Sequence, residues 1–368
     1  MHRFVLILVL ICSIGHAATV RTERVPEGGV QPQIVAGNVG ILHLVYLTGE
    51  PHAADVRYAS KKPRSSSWSE PITVNSEPHT AVAMGTIRGA QVALGKSGTV
   101  HVVWNGLGAK GTPAALFYTR KEPGNVAFEP QRNLRSDTKG LDGGASIAAS
   151  DKGEVFILWH GAPEKAEPGE QNRVVFMLKS TDNGSSFAPV KIVNPDDLGV
   201  CACCSMKSLV TPEGDMLALY RAARRKDQRD VTLLRSTDGG ATFQHRIVGT
   251  WAISACPMSS MSLAGKGMGV RGAWEAEGKV YTSLLDAEAD ALVVSGNKAR
   301  HPAQAVNGKG ETLISWSIGT GWQRGGDVGW RLLDPNGRPT PTEGLAKGVP
   351  VWGFTAAYAD GDGFVVMY

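Results

Sequence analysis

The chain has 368 residues, 42% hydrophobic and 20% charged, with 45 glycines, 20 prolines and a formal net charge of +4. A charge that small, without a basic helix or a long basic run, excludes a nucleic-acid-binding surface of the usual electrostatic kind. The glycine and proline content is high for helices and normal for a turn-rich β protein.

In chain order, His2 and Arg3 give a short basic start, residues 4–14 are nearly all apolar, and Gly15-His16-Ala17 supplies small residues for a peptidase. That pattern predicts a secretory signal peptide over 1–18, cleaved near Ala17 or Ala18. The apolar run is shorter than the roughly 20 residues a bilayer span needs, and Ile11 stands before Cys12 where lipid attachment needs a small residue. No later segment reads as a membrane span. Residues 19–368 show no linker or composition shift and are expected to form one domain. The mature chain is expected to be exported, periplasmic or secreted, and monomeric.

A unit of about fifty residues then recurs, the mark of a repeat architecture. A short apolar strand, a Gly turn and a second apolar strand ending near an aromatic run from Gln33 through Gly40 to Tyr46. The pattern returns from Gln91 to Trp104, Ser146 to Trp159, Ser208 to Tyr220, Met261 to Trp274, Ala303 to Trp316 and Thr355 to Tyr368. A third strand follows in several units, at 56–60, 116–120, 175–180 and 232–236. These are strand-length runs split by Gly-containing turns.

Two matching octapeptides follow the third strand. One carries Ser180, Asp182, Gly184 and Phe187; the other carries Ser236, Asp238, Gly240 and Phe243. Both fit S-x-D-x-G-x-[ST]-[FW], with degenerate copies ending at Trp68 and Phe128. An Asp accepting from its own turn and a Gly at positive φ suit a tight hairpin, and the terminal aromatic can plug between repeats.

The octapeptides resemble the Asp-boxes of the sialidase superfamily, the bacterial-neuraminidase repeats. The resemblance covers nearly all of the chain after the leader. It implies an all-β, sialidase-like propeller of four-stranded blades. Sialidases have six blades; seven inner units are counted here, the last without outer strands, and residues 19–25 are available to close the ring. Six or seven blades both fit.

In such blades the loop between strands two and three shares a face with the connector to the next blade. The Asp-box turns lie on the other face and are expected to be structural. The connector face collects Cys201-Ala202-Cys203-Cys204, the hairpin Tyr220-Arg221 to Arg229-Asp230, and Trp251 to Cys256-Pro257. These are similar to C-x-C-C, Y-R…R-D and W-x-I-x-x-C-P motifs of a sialidase-like subfamily of exported bacterial proteins.

The four cysteines left after cleavage (Cys201, Cys203, Cys204 and Cys256) allow three readings. In an exported chain they suggest a disulfide, with Cys256 reaching one of the other three. With Met206, Met258 and Met261 nearby they also suit copper(I) or zinc. A redox thiol pair is the third.

Arg221, at a strand end beside the channel, is a candidate for a carboxylate or other anion, together with Tyr220, Arg229, Asp230 and Trp251, although Arg224, Arg225 and Lys226 equally suggest a solvated hairpin tip. Trp322 and Arg324, in the two–three loop of the sixth unit, suit sugar stacking or anion binding. His52, His160 and His301 are weaker candidates.

A sialidase clamps its substrate with three arginines and uses a Tyr–Glu pair and an Asp acid. No R-I-P motif stands around Arg21, Arg24 or Arg57, and neither Tyr358 nor Tyr368 completes a set with Glu275, a conceivable base. The sequence therefore predicts a propeller that binds or processes a glycan or small anionic ligand at its channel face. A periplasmic metal or thiol-redox protein and a protein-binding scaffold are the alternatives.

Overall fold

The computed structural model describes residues 18–85, 88–106, 114–135, 138–139, 141–225, 227–265, 269–287 and 289–368. Among them are seven β-sheets arranged as the blades of a propeller. Residues 1–17 of the expected leader, Lys226 and the loop 107–113 lie outside the described residues. No described helix is long and apolar enough to cross a membrane.

Blade 1 runs Val30–Ala36, Leu42–Glu50, Ala53–Lys61 and Ile72–Thr73, and blade 2 runs Gln91–Leu94, Val100–Gly106, Ala115–Lys121 and Arg132–Asn133. Blade 3 runs Ser146–Ala149, Val155–Pro163, Val174–Ser180 and Lys191–Ile192; blade 4 runs Lys207–Val210, Met216–Ala223, Val231–Ser236 and Gln244–Gly249. Blade 5 runs Met261–Gly265, Val270–Ala276, Lys279–Leu284 and Leu292–Val293, and blade 6 runs Ala299–Val306, Thr312–Ile318, Gly326–Leu333 and Pro339–Val349. Each of these six is an antiparallel meander. Blade 7 pairs Ala356–Asp360 with Gly363–Met367, and the amino-terminal strand Val20–Glu23 adds to it in parallel, Val20 opposite Phe364. The ring is therefore seven-bladed and is closed by joining the two ends of the chain.

The aromatic that ends strand two is the anchor of each blade. Tyr46, Trp104, Trp159, Tyr220 and Trp274 are all at most 1% exposed, which puts the largest side chains where neighbouring blades meet. Burying one such ring stabilises the fold by about 2–3 kcal/mol. In blades 2 and 3 the third strand of the same blade sets a ring beside it: Trp104 lies 5.6 Å from Phe117 and Trp159 lies 5.4 Å from Phe176.

The two octapeptides form the same turn. Ser180 Oγ donates to Asp182 Oδ1 at 2.7 Å and accepts from Gly184 N at 2.8 Å, and Ser186 N donates to Asp182 Oδ1 at 2.9 Å. Ser236, Asp238, Gly240 and Thr242 repeat these bonds at 2.7, 2.8 and 2.9 Å. Hydrogen bonds from Ser186, and from Thr242 in the second copy, hold both carboxyls well below the usual carboxylate range. The terminal aromatics reach the preceding blade edge-on: Phe187 meets Tyr118 at 5.2 Å, Phe128 meets Tyr58 at 5.4 Å, and Trp68 meets Tyr358 at 6.0 Å. Phe243 packs into the cluster that holds Phe156 and Met177.

Gly184 has φ +81°, and a Cβ there would stand 1.9 Å from Tyr118 Oη, which itself binds His101 Nδ1 at 2.8 Å. Gly124 has φ +88° with nothing within 4 Å. Gly184→Ala should therefore cost about 1–3 kcal/mol more than Gly124→Ala, read as a larger fall in the urea midpoint. Equal losses would show that the backbone angle alone matters.

Candidate functional site

The motif residues of the connector face meet between blades 3, 4 and 5. Arg221 ends the second strand of blade 4 and is 1% exposed. Its Nε donates to Ser259 Oγ at 2.7 Å, its Nη1 to the Arg229 carbonyl at 2.7 Å and its Nη2 to the Glu275 carbonyl at 2.6 Å. Its guanidinium carbon lies 5.0 Å over the Trp251 ring. Each nitrogen is engaged by protein, so Arg221 is a brace between two blades and not the open anion contact expected from sequence.

The hairpin residues are turned inward in the same way. Tyr220 is fully buried in the core shared by blades 3 and 4. Arg229 pairs with Glu170, whose other oxygen accepts from Ala202 N at 2.6 Å. Asp230 Oδ1 accepts from Gln228 Nε2 at 3.1 Å and Trp251 N at 3.3 Å. Tyr220, Arg221, Arg229 and Asp230 are thus all buried, whereas Trp251 is half-buried. Strand-end position predicted proximity to the channel but not direction, because the neighbouring blade decides which way a long side chain turns.

Two carboxylate and tyrosine candidates are also internal. Glu275 is 2% exposed, with Arg300 Nε at 3.3 Å and His301 N at 3.1 Å. Burial pushes its carboxyl up, against the pull of Arg300. Tyr358 does have a glutamate partner, donating to Glu23 Oε2 at 2.7 Å, but this pair sits with Trp68 under an outer turn between blades 7 and 1. Arg21 pairs with Asp360 and Arg57 with Glu27. The three early arginines and Arg221 do not converge.

The cysteines resolve into two chemical states. Cys203 and Cys256 form a disulfide joining the loop before blade 4 to the connector before blade 5. Cys201 and Cys204 are free and buried, with their sulfurs 3.2 Å apart, and Cys201 Sγ lies 3.7 Å from Cys203 Sγ. Ser259 Oγ donates to Cys204 Sγ at 3.3 Å. The sulfurs of Cys201, Cys203 and Cys204 lie close enough together to share an ion. A zinc or copper(I) site needs thiolates, and Cys203 is committed to Cys256, so the donor set in this state does not fit the expected metal.

Two histidines on this face are held neutral. His160 Nε2 donates to the Cys204 carbonyl at 2.9 Å, leaving Nδ1 to accept from Arg173 Nη2 at 3.0 Å. A Cβ on Gly143 would stand 2.1 Å from that carbonyl, so the glycine makes room for the contact. Burial, then Arg173, lowers His160 to about 4; burial, then Arg300, lowers His301 to about 3. His52 is exposed.

The channel cavity holds about 80 Å³, and among the described residues its lining contains no carboxylate. Lys207 crosses it from blade 4 to blades 1 and 2, donating to Gln33 Oε1 at 2.9 Å and Gln91 Oε1 at 2.8 Å. Burial lowers its ammonium to about 8. Sequence reasoning missed Lys207 because it started the fourth inner strand at Ser208. The strand starts at Lys207, opposite Leu219, as Gln33 stands opposite Val45 and Gln91 opposite Val103. A one-residue shift exchanges the two faces of a strand; counting back from the strand-two aromatic would have found it.

The rim between blades 6 and 7 is different. Trp322 is 58% exposed and meets Trp352 edge-on at 4.8 Å. Arg324 is exposed in the same loop. The connector carrying Trp352 continues directly to Phe354 and Thr355, which line the cavity.

No family model matches the chain, and no curated protein does. Solved structures do match. One is the GH93 α-L-arabinofuranosidase of Fusarium graminearum in complex with arabinobiose, at 13% identity and TM-score 0.55, over 90% of this chain and 98% of that one. Another is the α-L-arabinanase of Penicillium chrysogenum, at 12% identity and TM-score 0.56, over 85% and 95%. A third is the Hadza microbial sialidase Hz136, at 13% identity and TM-score 0.52; the match takes in 78% of this chain but only 63% of that protein's length. The chain thus has the fold of sialidase and arabinanase propellers.

Because His160 and His301 are lowered below the unfolded value of about 6.5, their neutral forms favour the folded state above that pH. That contribution is lost as pH falls from about 6.5 toward 4, by at most about 1.4 kcal/mol per pH unit for each ring. Urea midpoints should fall between pH 7 and 4.5, and His160→Gln should flatten that slope; an unchanged slope would contradict the neutral assignment.

Proposed function

We propose that this chain is an exported glycan-binding propeller whose contact surface is the rim of blades 6 and 7, with Trp322 as stacking platform and Arg324 as its polar partner. The observation that carries the reading is the solvent exposure of Trp322 on the channel-mouth face of a glycosidase-like fold. A large ring left 58% exposed forgoes about 1 kcal/mol or more of burial, and Trp352 beneath holds it in place. A rigid aromatic face beside a guanidinium suits the apolar face and polar rim of a sugar, and an acidic sugar in particular. Export is supported by the leader pattern and by the Cys203–Cys256 disulfide, a bond that persists in oxidising compartments.

Binding is favoured over hydrolysis on chemical grounds. Glycoside hydrolysis needs two positioned acid or nucleophile groups. Among the described residues, no carboxylate lines the channel cavity, and Glu275 is buried against Arg300.

Calorimetric titration with arabinobiose, present in the complex of one structural neighbour, and 3′-sialyllactose, used to soak another, tests the proposal. At least one should bind, and Trp322→Ala should weaken it tenfold or more, about 1.4 kcal/mol, while Arg324→Ala should weaken only the acidic sugar to that extent. Binding of neither, or binding indifferent to Trp322→Ala, would overturn it. Release of products from either sugar would move the reading from binding to processing.

A further inference from the structure

The four sulfurs form a contiguous set with an inside and an outside. Cys201 and Cys204 are 0% and 2% exposed, whereas Cys256 is exposed and Cys203 partly so. The buried pair is a reduced dithiol at C-x-x-C spacing, and the outer pair is already a disulfide. The bridge between them is the 3.7 Å contact of Cys201 Sγ with Cys203 Sγ. Thiol–disulfide exchange needs this: a thiol in contact with one sulfur of a disulfide.

The surroundings suit an exchanging pair better than an inert one. Cys204 is the hydrogen-bond acceptor of the cluster, taking Ser259 Oγ–H and standing 3.2 Å from Cys201. Ser259 is in turn held by Arg221. Burial opposes ionisation of Cys204, but Cys201, Arg221 and Ser259 together outweigh it and lower its thiol. The hydrogen bond to Cys204 and burial raise the Cys201 thiol, so Cys201 loses its proton to the neighbouring Cys204 thiolate only as its sulfur bonds to Cys203.

We infer that the four cysteines form an internal thiol–disulfide relay, which passes an electron pair between the buried Cys201/Cys204 dithiol and the exposed Cys203–Cys256 disulfide. In the first step Cys201 Sγ bonds to Cys203 Sγ as its proton passes to the Cys204 thiolate. The Cys203–Cys256 bond breaks, and Cys256 leaves as a thiolate that is protonated by solvent. In the second step Cys204, losing its proton, bonds to Cys201 Sγ and displaces Cys203, which takes that proton up. The buried dithiol is oxidised to a disulfide and the outer disulfide is reduced to a dithiol, with no external oxidant. The exposed Cys256 then faces exchange with an external thiol or disulfide, and the tie between the loop of blade 4 and the connector of blade 5 is released. This relay is independent of the glycan reading, since it uses neither Trp322 nor Arg324.

The test is disulfide mapping of the full chain, purified without reductant, held under argon at pH 5 or pH 8.5, quenched in acid, alkylated and digested. The relay predicts Cys203–Cys256 alone at pH 5. At pH 8.5 it predicts a second isomer with Cys201 linked to Cys204 and with Cys203 and Cys256 alkylated. Cys204→Ser should abolish that isomer, since it removes both the base for Cys201 and the thiol that completes the exchange. Wild-type protein that keeps Cys203–Cys256 as its sole bond at both pH values overturns the inference without reference to any variant. So does protein with four free thiols and about one equivalent of zinc or copper, which would make the cluster a metal site.

Discussion

Arg221 is the constraint on which the connector face depends. One guanidinium holds the carbonyl of Arg229 in its own hairpin, the carbonyl of Glu275 in the next blade and the hydroxyl of Ser259 in the connector between them. A cation buried to this depth is tolerated only when its hydrogen bonds are made. Satisfying it fixes the connector of blade 5 relative to the hairpin of blade 4. That placement brings Cys256 to Cys203 and Ser259 to Cys204. It also sets Glu275 beside Arg300 and the backbone of His301, one of the cavity-lining residues.

The two functional readings divide along this line. On the side of blades 4 and 5, charged and aromatic motif residues are consumed by each other. What remains chemically open there is sulfur, because a buried dithiol touches a disulfide that solvent can reach. On the side of blades 6 and 7, Trp322 and Arg324 are exposed. Lys207 and its two glutamines tie blade 4 to blades 1 and 2 across the channel, whose cavity is about 80 Å³.

The fold was legible because its signals are local and repeated. Each repeat spends one aromatic at the end of strand two and one glycine in a turn, and the structure buries those aromatics, Trp104, Trp159 and Trp274 among them. The blade count needed the chain ends, since nothing in Val20–Glu23 reveals by itself that it pairs in parallel with Gly363–Met367. The site was legible as a list of residues and not as roles. Cys203 and Cys204 are neighbours, and only the path of the connector decides that Cys256 reaches the first of them. Arg221 and Arg324 look alike in sequence. One meets three acceptors, in its own hairpin, the connector and the next blade, and the other meets solvent.

The most direct test of this account is the unfolding free energy and the glycan affinity of Arg221→Gln, measured on the same preparation. The brace predicts a loss of about 3 kcal/mol or more in stability, from three charge-assisted hydrogen bonds and a less compensated Glu275. It also predicts an unchanged dissociation constant for whichever of the two sugars binds. A stable variant that has lost its sugar affinity would contradict it, and would return Arg221 to the ligand.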